Sequence, residues 1–308
     1  MTAFIRRKGG APRARNFITL VCVVWAAAAG SQHPAAHASD LQESLEELTR
    51  PFTDESGKGP FGATIETGDS PRLADVRDEV RQDPRKPLAL VWRGPGVCQP
   101  ACGISAAQAA RGAGYRTLSV FPGFSGPQAE ARFAEAAVWI QPGGKSVKAA
   151  AAMGPALITR VKRFIADGGG YVGFCAGMFI TTDEIGTSGQ PGFGIVPGRT
   201  ELYLKDDPPS HMIPVTLADG RVTRILYAGG PMLHVNEREL EALGGHVTAR
   251  YSDGSVAGIY VPYGLGKVSV IGTHPEAVWW WKLWSRSLDF VSERWIVRGM
   301  LRAVAPVR

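Results

Sequence analysis

The sequence predicts an α/β fold: a doubly wound, mostly parallel sheet with a strand-rich carboxyl-terminal half. Two observations carry this. From residue 87 to residue 175, short apolar runs alternate with longer segments of helical period, and Gly/Pro turns separate them. That alternation marks a parallel sheet covered by helices. Beyond residue 190 the texture changes to short strand-like runs. A chain of 308 residues, 44% hydrophobic and 20% charged, is globular rather than disordered or fibrous and can bury a core.

Taken in order, Leu88–Trp92 is a buried strand closed by Gly94-Pro95-Gly96. Residues 103–113 are alanine-rich and helical. Tyr115–Phe121 is a strand, stopped by Pro122-Gly123, and 127–136 is a short helix. Ala137–Gln141 is the third strand, ending in Pro142-Gly143-Gly144. Residues 146–167 place Leu157, Val161, Phe164 and Ile165 on one helical stripe, and Gly168-Gly169-Gly170 terminates it. Tyr171–Phe174 is the fourth strand. Further strands are expected at 194–204, 211–217, 222–228, 246–251, 256–261 and 267–272, with Asp253-Gly254 and Gly264-Leu265-Gly266 as hairpin turns. A helix is expected near 286–303.

The amino terminus reads as an address. Residues 1–16 are basic and acid-free, 17–29 are apolar, and Ala36-His37-Ala38 precedes Ser39. This is the layout of a signal peptide. The apolar run is shorter than the roughly 20 residues of a membrane span. The expectation is a protein exported to the periplasm or secreted after cleavage near Ala38. It would have no stable membrane span after processing. The organisation is then 1–38 signal peptide, 39–86 polar leader segment, and 87–308 α/β domain.

Net charge is +6, but residues 1–38 hold five basic and no acidic residues. The remainder is nearly neutral, which argues against nucleic acid as a partner. The expected partner is a small-molecule or peptide-like substrate.

The sharpest local signal is Gly173-Phe174-Cys175-Ala176-Gly177, between a strand and a helix. A nucleophile between two glycines suits a strained strand-to-helix turn. The helix amino terminus favours thiolate. The alternative is a buried structural cysteine in a glycine-rich turn. A thiol nucleophile needs a base. His211, His234 and His246 lie in the strand-rich stretch and read as surface or packing residues. His274 just follows a strand, in Thr273-His274-Pro275-Glu276, where Glu276 can fix the imidazole tautomer. Ala176 and the Gly143-Gly144 turn are candidate oxyanion donors.

Three ordered motifs, Pro142-Gly143-Gly144, Gly173–Gly177 and His274-Pro275-Glu276, resemble the class I glutamine amidotransferase fold, a flavodoxin-like architecture. Within that superfamily the chain is most similar to the amino-terminal domain of biotin–protein ligases, which also occurs as stand-alone bacterial proteins. Supporting pieces are Val91–Val97, Tyr227-Ala228-Gly229-Gly230-Pro231 and Tyr263–Lys267. The resemblance covers about 87 to 280. It implies Cys175 as nucleophile, His274 as base and then acid, and Glu276 as its orienter. It implies Ala176 with Gly143 or Gly144 as the oxyanion hole. The reaction class implied is acyl transfer from an amide or ester to the thiol, then hydrolysis, with no metal or organic cofactor. The chain has no room for a synthase domain to receive ammonia, and no ATP- or biotin-binding motif is visible. The expectation is an exported cysteine hydrolase acting on a small amide, γ-glutamyl or peptide-like substrate. The alternative is a non-catalytic ligand-binding or redox-sensing domain.

Cys98 and Cys102 lie four apart in the loop after the first strand, where an open parallel sheet has its crevice. They read as a small disulfide or redox latch at the rim, or as two free thiols. Trp279-Trp280-Trp281, with Trp284 and Trp295, reads as a pocket rim, an interface, or packing of the carboxyl-terminal segment.

Overall fold

The computed structural model describes residues 82–98, 101–205, 210–285, 287–289 and 291–306. The expected signal peptide (1–38) and all but the end of the leader segment (39–86) lie outside these residues. In chain order the strands are β1 Leu88–Trp92, β2 Arg116–Val120, β3 Ala136–Gln141, β4 Gly170–Phe174, β5 Arg199–Leu202, β6 His211–Leu217, β7 Val222–Tyr227, β8 Pro231–His234, β9 His246–Tyr251, β10 Val256–Tyr263 and β11 Gly266–Ile271. The helices are α1 Ala101–Gly112, α2 Gly126–Glu135, α3 Ser146–Ala166, α4 Ala176–Phe179, α5 Glu237–Ala242, α6 Trp279–Trp284 and α7 Arg294–Val304.

The strands form one sheet, in the order β2-β1-β3-β4-β11-β10-β9-β6-β7, with β8 attached to β10 and β5 to β8. The expectation of a mostly parallel sheet needs correction, because the sheet is mixed. From β2 to β11 neighbours run parallel. From β11 through β10, β9 and β6 to β7 they run antiparallel. The Asp253-Gly254 and Gly264-Leu265-Gly266 turns account for this. Gly254 (φ 87°) and Gly264 (φ 60°) adopt the left-handed backbone that tight hairpins need, and a hairpin joins antiparallel strands.

In the parallel half, β1 and β4 are buried along their full length. That requires cover on both faces, and continuous apolar strands are its signature. One face is covered by α1 and α7. Ala106, Ala107, Ala110, Val297, Leu301 and Val304 pack with Ala89, Val91, Val138, Ile140, Val172 and Phe174. On the other face Phe133 of α2 stacks on Trp139 and meets Phe164 of α3. The alternation of Val138, Trp139 and Ile140 between the faces is the two-residue period of a strand.

Several boundaries move. The strand expected at 194–204 contracts to β5, because the preceding backbone bonds elsewhere: Phe193 N–H to Ile180 O and Ile195 N–H to Thr181 O. The expected 286–303 helix starts at Arg294, and α6 precedes it as a separate short helix. The α3 segment is kinked where Gly154 (φ 67°) precedes Pro155, since the proline ring cannot continue the helical ladder. Besides α6, two elements escaped the sequence reading. These are β8 and α5, the latter capped by the Asn236 side chain accepting from Arg238 N–H and Glu239 N–H.

Candidate active site

The carboxyl ends of β1, β3, β4 and β11 converge on one place. Because β1 lies between β2 and β3, the winding direction across the sheet reverses between β1 and β3, the position at which open α/β sheets generally bind ligands. The loops after β1 and β3 are laced together. Cys98 N–H donates to Gly143 O at 3.2 Å, and Lys145 N–H donates to Gly96 O at 2.7 Å.

Cys175 stands at the end of β4 with φ 49° and ψ −105°; it is the one non-glycine residue with positive φ among the described residues. Such a conformation persists only when its surroundings enforce it. The enforcement is visible. Cys175 N–H donates to Ile271 O of β11 at 2.9 Å, and Met178 N–H returns to Cys175 O at 2.9 Å. Tyr171 O–H donates to Gly177 O at 2.7 Å. The flanking glycines are needed for space. A Cβ at Gly173 would stand 2.4 Å from Gly177 O, and one at Gly177 would stand 2.1 Å from Gln141 O. The Cys175 sulfur is 3.9 Å from Ala228 O and is almost sealed from solvent.

His274 lies three residues past β11. Its N–H donates to Leu226 O at 2.8 Å, which ties this turn to β7. The turn sits on another close backbone crossing: a Cβ at Gly230 would lie 1.6 Å from Gly272 O. The His274 ring meets Glu276, Nδ1 to Oε1, at 2.9 Å, and the Cys175 side chain lies beside the same ring. With Nδ1 committed to the carboxylate, Nε2 is the nitrogen left for the sulfur. Burial pushes the ring toward its neutral form. The Glu276 carboxylate and the Cys175 sulfur outweigh it and carry the His274 pKa up to about 10. Trp281 closes the other side, edge-on to the imidazole at 4.6 Å between ring centres.

The structure therefore brings Cys175, His274 and Glu276 together. It adds Gly143, whose Cβ, if present, would lie 2.3 Å from His274 Cε1, 3.3 Å from Cys175 Cβ and 3.2 Å from Cys102 Sγ. Ala176 follows Cys175 directly as the first residue of α4. Gly144 is placed differently, against the β1 loop, where a Cβ would strike Gly96 O at 2.0 Å. Since Gly143 O faces Cys98, the N–H of Gly144 in the same trans peptide points the opposite way.

Cys98 and Cys102 are joined by a disulfide at the start of α1. Among the described residues, no group of three or more His, Cys, Asp and Glu side chains could hold a metal ion. The other histidines among the described residues are occupied elsewhere: His234 meets Glu201 at 2.9 Å, His246 packs against Tyr260, and His211 is edge-on to Tyr227. The sequence reading missed the contact of Trp281 with His274 and the role of Tyr171. For Trp281 the signal existed, an aromatic run five residues beyond the histidine.

The family model "Biotin-protein ligase, N terminal" matches residues 127–206, a segment holding β3, the Gly143-Gly144 turn and Cys175. A solved glutamine amidotransferase superposes with a TM-score of 0.50 at 16% identity, covering 70% of this chain and 97% of its own. PurLQS from Thermotoga maritima superposes with a TM-score of 0.49 at 16% identity, covering 70% and 98%. No curated protein matches the chain. The chain thus has the class I glutamine amidotransferase-like fold, and residues 127–206 are similar to the amino-terminal domain of biotin–protein ligases.

Proposed function

We propose that the protein is an exported cysteine-dependent hydrolase that cleaves a small amide, γ-glutamyl or peptide-like substrate. The observation that carries this reading is the buried histidine that holds Glu276 on one ring nitrogen at 2.9 Å and lies beside a free cysteine in a strained turn. The amino-terminal basic and apolar segments support export.

In this reading, His274 is protonated at neutral pH and partners the Cys175 thiolate. The thiolate attacks the substrate carbonyl, and the developing oxyanion is met by N–H groups of Ala176 and the Gly143–Gly144 turn. The imidazolium then gives its proton to the departing amine. The neutral ring takes a proton from water, which hydrolyses the thioester and frees the acid. Glu276 holds the tautomer throughout and offsets the imidazolium charge.

The test is the rate of Cys175 alkylation by iodoacetamide against pH, in the wild type and His274→Ala, with the labelled peptide identified by mass. Fast labelling that persists well below pH 8 and collapses in the variant supports the paired nucleophile. A profile rising near ~8.5, as for an isolated thiol, and unchanged by the substitution, refutes it and leaves a ligand-binding domain without turnover.

A further inference from the structure

The Cys102 sulfur and the Cys175 side chain approach the same point, where Gly143 carries no side chain. A Cβ on Gly143 would stand 3.2 Å from Cys102 Sγ and 3.3 Å from Cys175 Cβ. Glycine there leaves the space between the free cysteine and the disulfide without a side chain. The disulfide is polarised. Cys98 Sγ accepts a hydrogen bond from Cys102 N–H at 3.3 Å, and both sulfurs sit at the amino-terminal end of the 12-residue helix α1. An N–H donor and a helix amino terminus each stabilise a thiolate, so Cys98 is the better leaving group of the pair. Cys102, almost fully buried, is the sulfur on the Cys175 side.

We propose that Cys175 exchanges with this disulfide, so the protein interconverts between a Cys98–Cys102 form with a free Cys175 and a Cys102–Cys175 form with a free Cys98. The Cys175 thiolate forms a bond to Cys102 Sγ as the Cys98–Cys102 bond breaks, and the electron pair leaves on Cys98. The proton lost by Cys175 rests on His274 and is taken up by Cys98. One disulfide and one thiol stand on each side, so no external oxidant or reductant enters. The exchange masks the nucleophile of the reading above and so regulates the same site. It rests on that reading for its consequence but not for its chemistry.

The test uses the purified protein with Cys98→Ser. Oxidised glutathione is added, free thiols are blocked with iodoacetamide in denaturant, and tryptic peptides are mapped by mass. Cys175 should resolve the glutathione adduct on Cys102, so a Cys102–Cys175 linked peptide dominates. In wild type incubated at pH 8 without oxidant, the same linked peptide should appear with alkylated Cys98, and Cys175→Ser should abolish it. Glutathione retained on Cys102 beside an alkylatable Cys175, in a variant with native circular dichroism, overturns the proposal. The readout is disulfide connectivity, so absence of hydrolysis leaves this result intact, and absence of exchange leaves the alkylation profile intact.

Discussion

His274 Nδ1 lies 2.9 Å from Glu276 Oε1, with the two side chains 2% and 0% exposed. Two residues of one turn thus form a pair sealed from water. The second carboxylate oxygen, Oε2, has no hydrogen-bond partner among the described residues. Its charge is therefore directed largely at the imidazole.

Glu276→Gln keeps the shape of this contact and removes its charge. The His274 imidazolium then loses its counter-ion, and in the proposed mechanism the cysteine loses a protonated partner. If the proposed pairing holds, alkylation of Cys175 at pH 6.5 should slow by roughly 10- to 100-fold, the scale of losing a close opposite charge. Glu276→Asp should recover part of the rate. Unchanged labelling in Glu276→Gln would show that the carboxylate does not act through the ring.

Stability should depend on pH through the same pair. The His274 pKa is raised from 6.5 to about 10 in the fold. A raised histidine pKa stabilises the folded state fully below about 6.5, and this contribution fades as pH rises through about 10. The urea midpoint of the wild type relative to His274→Ala should therefore fall between pH 7 and pH 10. A difference that grows across that range would reverse the sign and exclude an imidazolium.

Gly177→Ala tests the cysteine turn. The added methyl would lie 2.1 Å from the Gln141 carbonyl oxygen, and backbone on both sides cannot yield cheaply. A cost of about 1–3 kcal/mol in unfolding free energy is expected. Gly112→Ala, at a helical position with open space around the added atom, is the control and should be neutral or stabilising. Equal effects from the two substitutions would mean that the turn relaxes freely.

The parallel half was legible because its strands are uniformly apolar and its turns are marked by glycine and proline. Leu88–Trp92 and the Pro142-Gly143-Gly144 stop sit where the sequence placed them. The antiparallel half was harder. Its strands were found largely by their turns, yet pairing partners leave no local trace. That β11 returns to lie beside β4 is a relation across the whole sheet. The strand β8 opens on Pro231 and has only four residues, too few to show a period. For the candidate site, the backbone requirements of Gly173-Phe174-Cys175-Ala176-Gly177 and the closeness of His274 to Glu276 were readable in the letters. A place at the rim was readable for Cys102 and was one of the options for the tryptophans, but the contact of Trp281 with His274 was not, since the direction of that helix is set by packing.

The pairing of β4 with β11 has a consequence for assembly. Residues Gly170–Phe174 acquire Lys267–Ile271 as neighbours only after the intervening strands have been made. Loop closure over so long a separation is slow, and native contacts cannot reward it early. A nascent chain emerging in order therefore presents the cysteine well before its histidine exists. Whatever reactivity the pair possesses is withheld until synthesis has passed His274 and the sheet has closed around β11, so the centre matures last.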